Sequence, residues 1–446
     1  MLESRFGPFF NSFLSRIGFA PLPEESPSNL PQGFYPSPFP PEHEARRSQY
    51  RMYWKYYEGN QRPPLRIDGA SPDLNHIENY CKTIVDMSAT FLINDGIRFE
   101  TDTEQEQSEA EALLEEVLGK RLQSDVVQAG GVTGVPALRI YPIDGANPRV
   151  VVVDPASLEI FVDPADRDSV TEYRQTWWAG SAWNRHRMIN ESGAWVTVVE
   201  SRGANGVWNE SERVAWAYNC QPMYHAQNLP LAFGVYGMSD LTDASLQDAV
   251  NRVASDTDKI LHHHAAPVTV ATGLQGHKII VQKTGGSSIV KIPTGTTLNN
   301  LELQSDLSAS TATTERTINA MYAITGTPRM GAEQVQLGAV SGTALLLSMY
   351  PALQKMNQKR LTYGRLFSDV AAAVLEVSGM PQPVEVAFGN PLPDDEDGRV
   401  GRYVSLVNAG TDRYAAARVA GYSIEDAKLL AARVTVIPTS PLDDLL

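Results

Sequence analysis

The stretch Ser341–Ser378, "SGTALLLSMYPALQKMNQKRLTYGRLFSDVAAAVLEVS", constrains this chain more than any other. It is apolar, then basic, and apart from one proline it holds a helical pattern throughout, which predicts a single long helix. Pro351 lacks an N–H donor and its ring clashes with the preceding turn, so a bend is expected there. Immediately before it, "PRMGAEQVQLGAV" (Pro328–Val340) is a loop in which Gly331 and Gly338 give backbone freedom. Ser341 is a good N-cap for the long helix. The combination is a loose loop anchored on a rigid, bent support.

Upstream, two further helical patterns bracket a β-rich insertion. "YGMSDLTDASLQDAVNRVASDTDKILHHHAAP" predicts a helix capped by Ser239 or Asp240, with Leu241, Leu246, Ala249, Val250, Val253, Ile260 and Leu261 on its apolar side. "VTVATGLQGHKIIVQKTGGSSIVKIPTGTTLNNLEL" reads as short strands with Gly-Gly and Pro-Thr-Gly turns. "LSASTATTERTINAMYAITGTP" is helical again and stops at Gly326–Pro328. Between Pro136 and Met223, β-branched and aromatic runs such as "RVVVVDP" and "AWVTVVESRG" alternate with turn residues and predict consecutive antiparallel strands.

The N-terminal part begins with a Pro-rich stretch, Phe19–Glu44, expected to be an extended arm. A helix ending at Gly59 carries Tyr53, Trp54, Tyr56 and Tyr57 as core-packing aromatics. A second amphipathic helix spaces Ile77, Tyr80, Cys81, Ile84, Val85, Met87 and Phe91 on one side and turns at Asn94–Gly96 into a strand at Ile97–Glu100. A helical stretch follows at 103–132. After the long helix come a strand at Pro383–Asn390, a polar hinge "PLPDDEDG" and two short helices. The class is α+β.

Composition narrows the function. A chain of 446 residues with 42% hydrophobic and 20% charged content builds a large core without disulfides or metals. Its two cysteines have no redox or metal-ligand spacing, which suits synthesis in a reducing compartment. No secretory signal is visible, and the most apolar run, Val340–Leu353, is shorter than the roughly 20 residues a membrane span needs. The net charge of −15 argues against tight nonspecific binding to nucleic acid.

No catalytic signature stands out. His262–His264 point about 100° apart on a helix and do not converge on one metal; they read as a polar helix end. The Gly-rich stretches "GLQG", "TGGSS" and "GAVSGTA" lack the Lys-Ser/Thr of a phosphate loop, and no nucleophile elbow or dinucleotide fingerprint occurs. No cofactor is expected. "PDDEDG" (Pro393–Gly398), the one dense carboxylate run, reads as a solvated hinge. Lys355 and Lys359, at i,i+4, with Arg360 adjacent, share a helix face: a basic stripe near DNA, or else inter-subunit salt bridging or a solvated face.

Taken in order, five pieces resemble the portal proteins of tailed bacteriophages. They are "NYCKTIVDMSATFLINDGIRF", "YGMSDLTDASLQDAVNRVASD" before a β insertion, "GTP" before a loop, "SGTALLL" opening a long helix, and "FGNPLPDDED" before the last helices. The resemblance spans Tyr50 to Tyr422. It implies a ring, commonly of twelve subunits, at one capsid vertex of a virion assembled in the host cytoplasm. It further implies an N-terminal arm (1–49), a β-rich wing (50–239 and 380–397), stem helices (240–264 and 307–326) and a small β clip (265–306). A tunnel loop (327–340), a long kinked helix (341–379) and a small helical crown (398–446) complete the set. The loop residues placed nearest DNA are Arg329, Gln334, Val335, Gln336 and Leu337. The clip, with Lys278, Lys283 and Lys291, becomes a docking surface or, equally, a strand edge protected by lysine. Implied partners are other copies of the chain, a terminase large subunit, a head–tail adaptor, major capsid and scaffolding proteins, and double-stranded DNA, with no membrane. A phage metal-dependent DNA-processing enzyme and a different head–tail connector are the rival readings.

Overall fold

The computed structural model describes residues 37–61, 75–94, 96–101, 107–179, 182–203, 206–241, 244–265, 268–272, 280–284, 287–291, 297–301, 307–329, 342–389, 396–422 and 424–432. In chain order it runs α1 (Pro41–Glu58), α2 (Tyr80–Ile93), β1 (Ile97–Thr101), α3 (Gln107–Val117) and α4 (Lys120–Thr133). Strands β2 (Ala137–Ile143), β3 (Ala146–Val152), β4 (Leu158–Val162), β5 (Val170–Ala179), β6 (Ala182–Glu191), β7 (Ala194–Arg202), β8 (Trp208–Ala215) and β9 (Met223–His225) come next. Then come α5 (Ala244–Ala265), β10 (Val268–Thr272), β11 (Ile280–Thr284), β12 (Ser287–Lys291), β13 (Thr297–Leu301) and α6 (Leu307–Thr325). The chain closes with α7 (Gly342–Val377), β14 (Val384–Phe388), α8 (Glu396–Asn408), α9 (Arg413–Ala420) and α10 (Ile424–Ala432). The class is mixed α+β. Two compact units divide the chain: Met1–Ser48, Asp86–Asp240 and Ala352–Leu446 form one, Gln49–Val85 and Leu241–Pro351 the other.

In the first unit α7 is the central element. Tyr363, Leu366, Phe367, Val370, Ala371, Ala373, Val374 and Leu375 are all buried, so its later turns are enclosed on most sides, as a helix apolar nearly all round must be. They pack with Leu92 of α2, Phe99 of β1, Leu113 and Leu114 of α3, Val126 and Val127 of α4, and Leu138 and Ile140 of β2. The helix ends where Gly379 takes φ +81° and Met380 N–H donates to Leu375 O at 2.9 Å, which satisfies one of the final carbonyls. Strand β14 returns to pair antiparallel with β1, Ile97 opposite Phe388. Gln123 of α4 fixes β1 by accepting from Ile97 N–H (2.8 Å) and donating to Ile97 O (3.1 Å).

The predicted run of antiparallel strands forms two sheets, β3-β2-β9 and the meander β4-β5-β6-β7-β8. Alternation sends Tyr173, Met188 and Trp195 into a second core with Leu158, Ile160 and Met223. The same alternation sends Glu172, Arg174, Arg185, Arg187 and Glu200 to the other face, where Arg187 bridges Glu172 (2.6 Å) and Glu200 (3.6 Å). In the second unit, β10 pairs with β13 and β11 with β12, so one hairpin lies nested in the connection between the two outer strands.

Three sequence expectations are corrected. Within the expected helical stretch the described residues from Gln107 on form two helices, broken at Gly119, which caps α4 with extended backbone. Among the described residues the C-terminal part holds three helices where two were expected, because Gly410 (φ +88°) ends α8 and the Asp412 carboxylate caps α9 by accepting from Tyr414 and Ala415 N–H. The arm's last residues are not extended: Pro41–Glu44 are the first turn of α1, and buried Phe39 packs edge-on against Trp183 at 5.8 Å.

Burial also traps histidines in the neutral form. His225 shares a hydrogen bond with the Tyr173 hydroxyl (3.0 Å), and loss of solvent pushes its pKa down to about 4. His43, against Ala156 O, is pushed to about 4 by burial and then by Arg46, and His186 lies well below its usual value through burial and then Arg139. Above pH 6.5 these groups are neutral folded or unfolded and contribute nothing. Between 6.5 and 4 the unfolded chain takes up protons that the folded chain refuses, so stability falls with pH; His225 alone accounts for about 3 kcal/mol. Denaturation curves across this window are expected to show that loss, with a shallower slope for His225→Asn.

Candidate functional site

Asp240 is the centre of the best-defined polar site. The end of α4 approaches α7 so closely that a Cβ on Gly130 would lie 2.1 Å from the Tyr363 hydroxyl. The chain then turns at Gly134 (φ +92°), and the segment 228–240 comes back alongside. Asn228 N–H donates to Gly134 O (2.9 Å), Asp240 N–H to Gly131 O (2.8 Å), and Ser239 Oγ to Val132 O (2.6 Å). This seats the Asp240 carboxylate, fully buried, against α7. Lys359 Nζ donates to it at 2.6 Å and Lys355 Nζ lies at 3.0 Å. Asn228 Nδ2 reaches Asp240 Oδ1 at 3.4 Å, and the Tyr363 hydroxyl donates to Asn228 Oδ1 at 3.0 Å.

These positions correct two expectations. Ser239 and Asp240 do not stand at the N-cap position of α5, which begins at Ala244, and both are buried. Lys355, Lys359 and Arg360 do not form a solvent-facing stripe. The i,i+4 spacing does put the two lysines on one face, but that face turns inward to a buried carboxylate, and Lys359 is only 1% exposed. Arg360 is half-buried, donates to Gly389 O and lies 5.1 Å over the Phe388 ring.

Burial strips water from the Lys359 ammonium and pushes its pKa down to about 8, with Asp240 opposing the fall. Burial alone would raise Asp240, yet the two ammonium groups outweigh it and hold the carboxyl below its usual range. Removing Asp240 therefore takes the carboxylate away from the buried Lys359 and from Lys355, whereas removing Lys359 leaves a matched Asp240–Lys355 pair. Asp240→Ala is expected to cost about 3–5 kcal/mol and Lys359→Met no more than about half of that, as measured by denaturant unfolding at pH 7.

The second unit is held by a different device. Gln247, Asn251 and Ser255, at i, i+4 and i+8 on α5, are fully buried and act as a partner strand for the extended segment before α2. His76 N–H donates to Ser255 Oγ (2.9 Å), Glu78 N–H to Asn251 Oδ1 (3.0 Å), and Tyr80 N–H to Gln247 Oε1 (3.1 Å). Their amide and hydroxyl hydrogens go back to Glu78 O, Gln61 Oε1 and His76 O. The apolar reading of α5 missed this row; its signal was polar residues at helical spacing opposite no other charge. Asn251→Leu is expected to destabilise more than Ser255→Ala, because it strands Glu78 N–H and the Gln61 amide together. Thermal unfolding of the two variants checks the order.

At the end of α6, Gly326 (φ +63°) turns the chain and Thr327 N–H donates to Tyr322 O (3.0 Å). Arg329 folds back onto the helix, donating to both Glu315 oxygens (2.5 and 3.2 Å) and to Asn319 Oδ1 (2.9 Å). The other candidate loop residues, Gln334, Val335, Gln336 and Leu337, lie outside the described residues, as does Lys278. Lys283 falls in β11 and Lys291 in β12, opposite Ser288 and Ile280 respectively, and His262–His264 fall in the last turns of α5. Pro351 lies within α7, whose helical assignment runs unbroken past it, and the boundary between the two units follows it directly. Of the carboxylate run, Glu396 and Asp397 fall in the first turn of α8. Among the described residues, no group of three or more His, Cys, Asp or Glu is placed to hold a metal ion, and no helix is long and apolar enough to cross a membrane.

A search of curated proteins finds no match. A family model described as phage portal protein, SPP1 Gp6-like, matches residues 37–173 and 237–420. The match takes in α1 to β4, Asp240 with Lys355, Lys359 and Tyr363, the helix–strand–helix stretch α5 to α6, and α7 to α9; it leaves out 174–236, which holds Asn228, most of the meander and β9. With well over half of its length matched, the chain belongs to the SPP1 Gp6-like family of phage portal proteins.

Proposed function

We propose that twelve copies of this chain close into a ring at one vertex of a tailed-phage capsid, and that double-stranded DNA enters and later leaves the head through the hole. Family membership supports a structural head–tail connector; the conduit, the ring number and the segment roles are our reading. The observation that carries it is the order α5, β10–β13, α6, residues 327–340, α7. In this reading α5 and α6 are stem helices. The clip, Ala265–Asp306, docks the terminase large subunit during packaging and the head–tail adaptor afterwards. Thr327–Val340 is a tunnel loop, and α7 bends near Pro351 behind it. The β-rich part is the wing, α8–α10 the crown, and capsid and scaffolding proteins meet the ring from outside.

The electrostatics fit a passage more than a grip. A chain of charge −15, repeated around a ring, repels phosphate over most of its surface. Force then comes from a separate ATP-driven motor, since the sequence has no phosphate-binding loop.

Negative-stain microscopy of the purified protein is expected to show rings with a central hole; monomers at micromolar concentration would overturn the assignment. A photo-crosslinker at position 336 is expected to label DNA in a packaging reaction. Replacing Gly331 and Gly338 by proline is expected to slow packaging severalfold while rings still form, because a stiffened loop no longer follows the DNA. Packaging at the normal rate by the proline variant would count against the loop's role.

A further inference from the structure

Three of the described cations that the sequence offers to DNA are engaged from within. Lys355 and Lys359 are spent on Asp240, and Arg360 is held by a carbonyl and a ring. Arg329 differs from these in position: it is the last described residue before the stretch 330–341, and it is a third exposed. Its guanidinium nevertheless spends three of its N–H donors on α6. Both Glu315 oxygens accept from it, in the two-pronged geometry by which arginine also takes a phosphate, and Asn319 Oδ1 accepts a third bond. Glu315 is the only acidic residue of α6. Nearby, Tyr322 of α6 and Tyr80 pack edge-on at 6.2 Å and bring no further charge.

We propose that Glu315, with Asn319, masks Arg329 from DNA: the carboxylate occupies the place a phosphate would take, so that the cation at the root of the loop does not bind the passing strand. This rests on the reading of residues 327–340 as facing DNA. The physical need is clear. One arginine per subunit, repeated around a ring, would release a counterion at each phosphate it met, and the summed affinity would hold DNA where it must slide. An internal carboxylate keeps the arginine's side-chain geometry and removes its net charge. Glu315 responds accordingly, its carboxyl held below the usual range by hydrogen bonding to Arg329, while the guanidinium is held above its own.

The test is binding of assembled protein to a fluorescent 30-base-pair duplex, about 100 Å long, across a salt series. Glu315→Gln removes the charge at constant shape, and Asp256→Asn, an exposed carboxylate on α5, is the control for the same change in net charge. Glu315→Gln is expected to tighten binding at least fivefold over both wild type and Asp256→Asn at low salt, with a steeper salt dependence. Arg329→Gln alone is expected to leave affinity within twofold of wild type, and the double variant to return to it. Equal affinities for Glu315→Gln and Asp256→Asn would overturn the masking, as would a large loss from Arg329→Gln alone, which would mean that Arg329 already binds DNA. The crosslinker at position 336 separates the two levels. Labelling of DNA with no effect of Glu315→Gln defeats the masking and leaves the loop assignment standing; no labelling defeats the loop assignment itself.

Discussion

A buried carboxylate shared by two lysines sets the arrangement of the larger unit. Asp240 is the last residue of that unit before the chain leaves it, and Ala352, one turn before Lys355, is where the chain returns. The salt bridges at 2.6 and 3.0 Å thus fasten exit and re-entry to each other inside the unit. Charges in such a place are costly unless every partner is present, and here the partners are geometrically specified. Asp240 reaches its position only because α4 ends in Gly130, Gly131 and Gly134, which let α7 and the returning segment come close. The apolar core around α7 supplies most of the burial; the Asp240 cluster decides which turn of α7 lies opposite which residue of the loop.

The smaller unit solves a similar problem without charge. A helix face that bonds an extended backbone must present acceptors and donors every second residue of that backbone, and Gln247, Asn251 and Ser255 do so with neutral groups. Neutral networks avoid the ionic desolvation penalty, but each member left single is expensive. Both devices trade tolerance to substitution for a fixed register.

How much was legible in the sequence depended on range. Helices and strands were readable where periodicity is local: α1 ends at Gly59 as read, β14 lies inside the expected strand, and α7 starts and stops within one residue of Ser341–Ser378. Breaks inside helical stretches were readable in principle, since Gly119 and the Gly410–Asp412 stop and cap are local signals that were passed over. The Asp240 site was not. Its residues are separated by more than a hundred positions, and "SD" before an amphipathic pattern is equally good as a helix cap. The i,i+4 lysines showed that a charged face exists, but which way a helix face turns is decided by tertiary packing. The polar row on α5 was hidden for the opposite reason: buried amides look like surface residues until the backbone they serve is known.

The Arg329 clamp and the lysine pair make one electrostatic pattern. In a strongly acidic chain the scarce cations are the groups able to arrest a polyanion, and Arg329, Lys355, Lys359 and Arg360 each meet an acceptor of their own chain. Matching by a carboxylate differs from deleting the cation. The matched pair also braces the turn after Gly326, which a chain without the arginine would lose. In the proposed conduit a neutral pair at the loop root matters because each attraction to passing phosphate would raise a barrier to leaving.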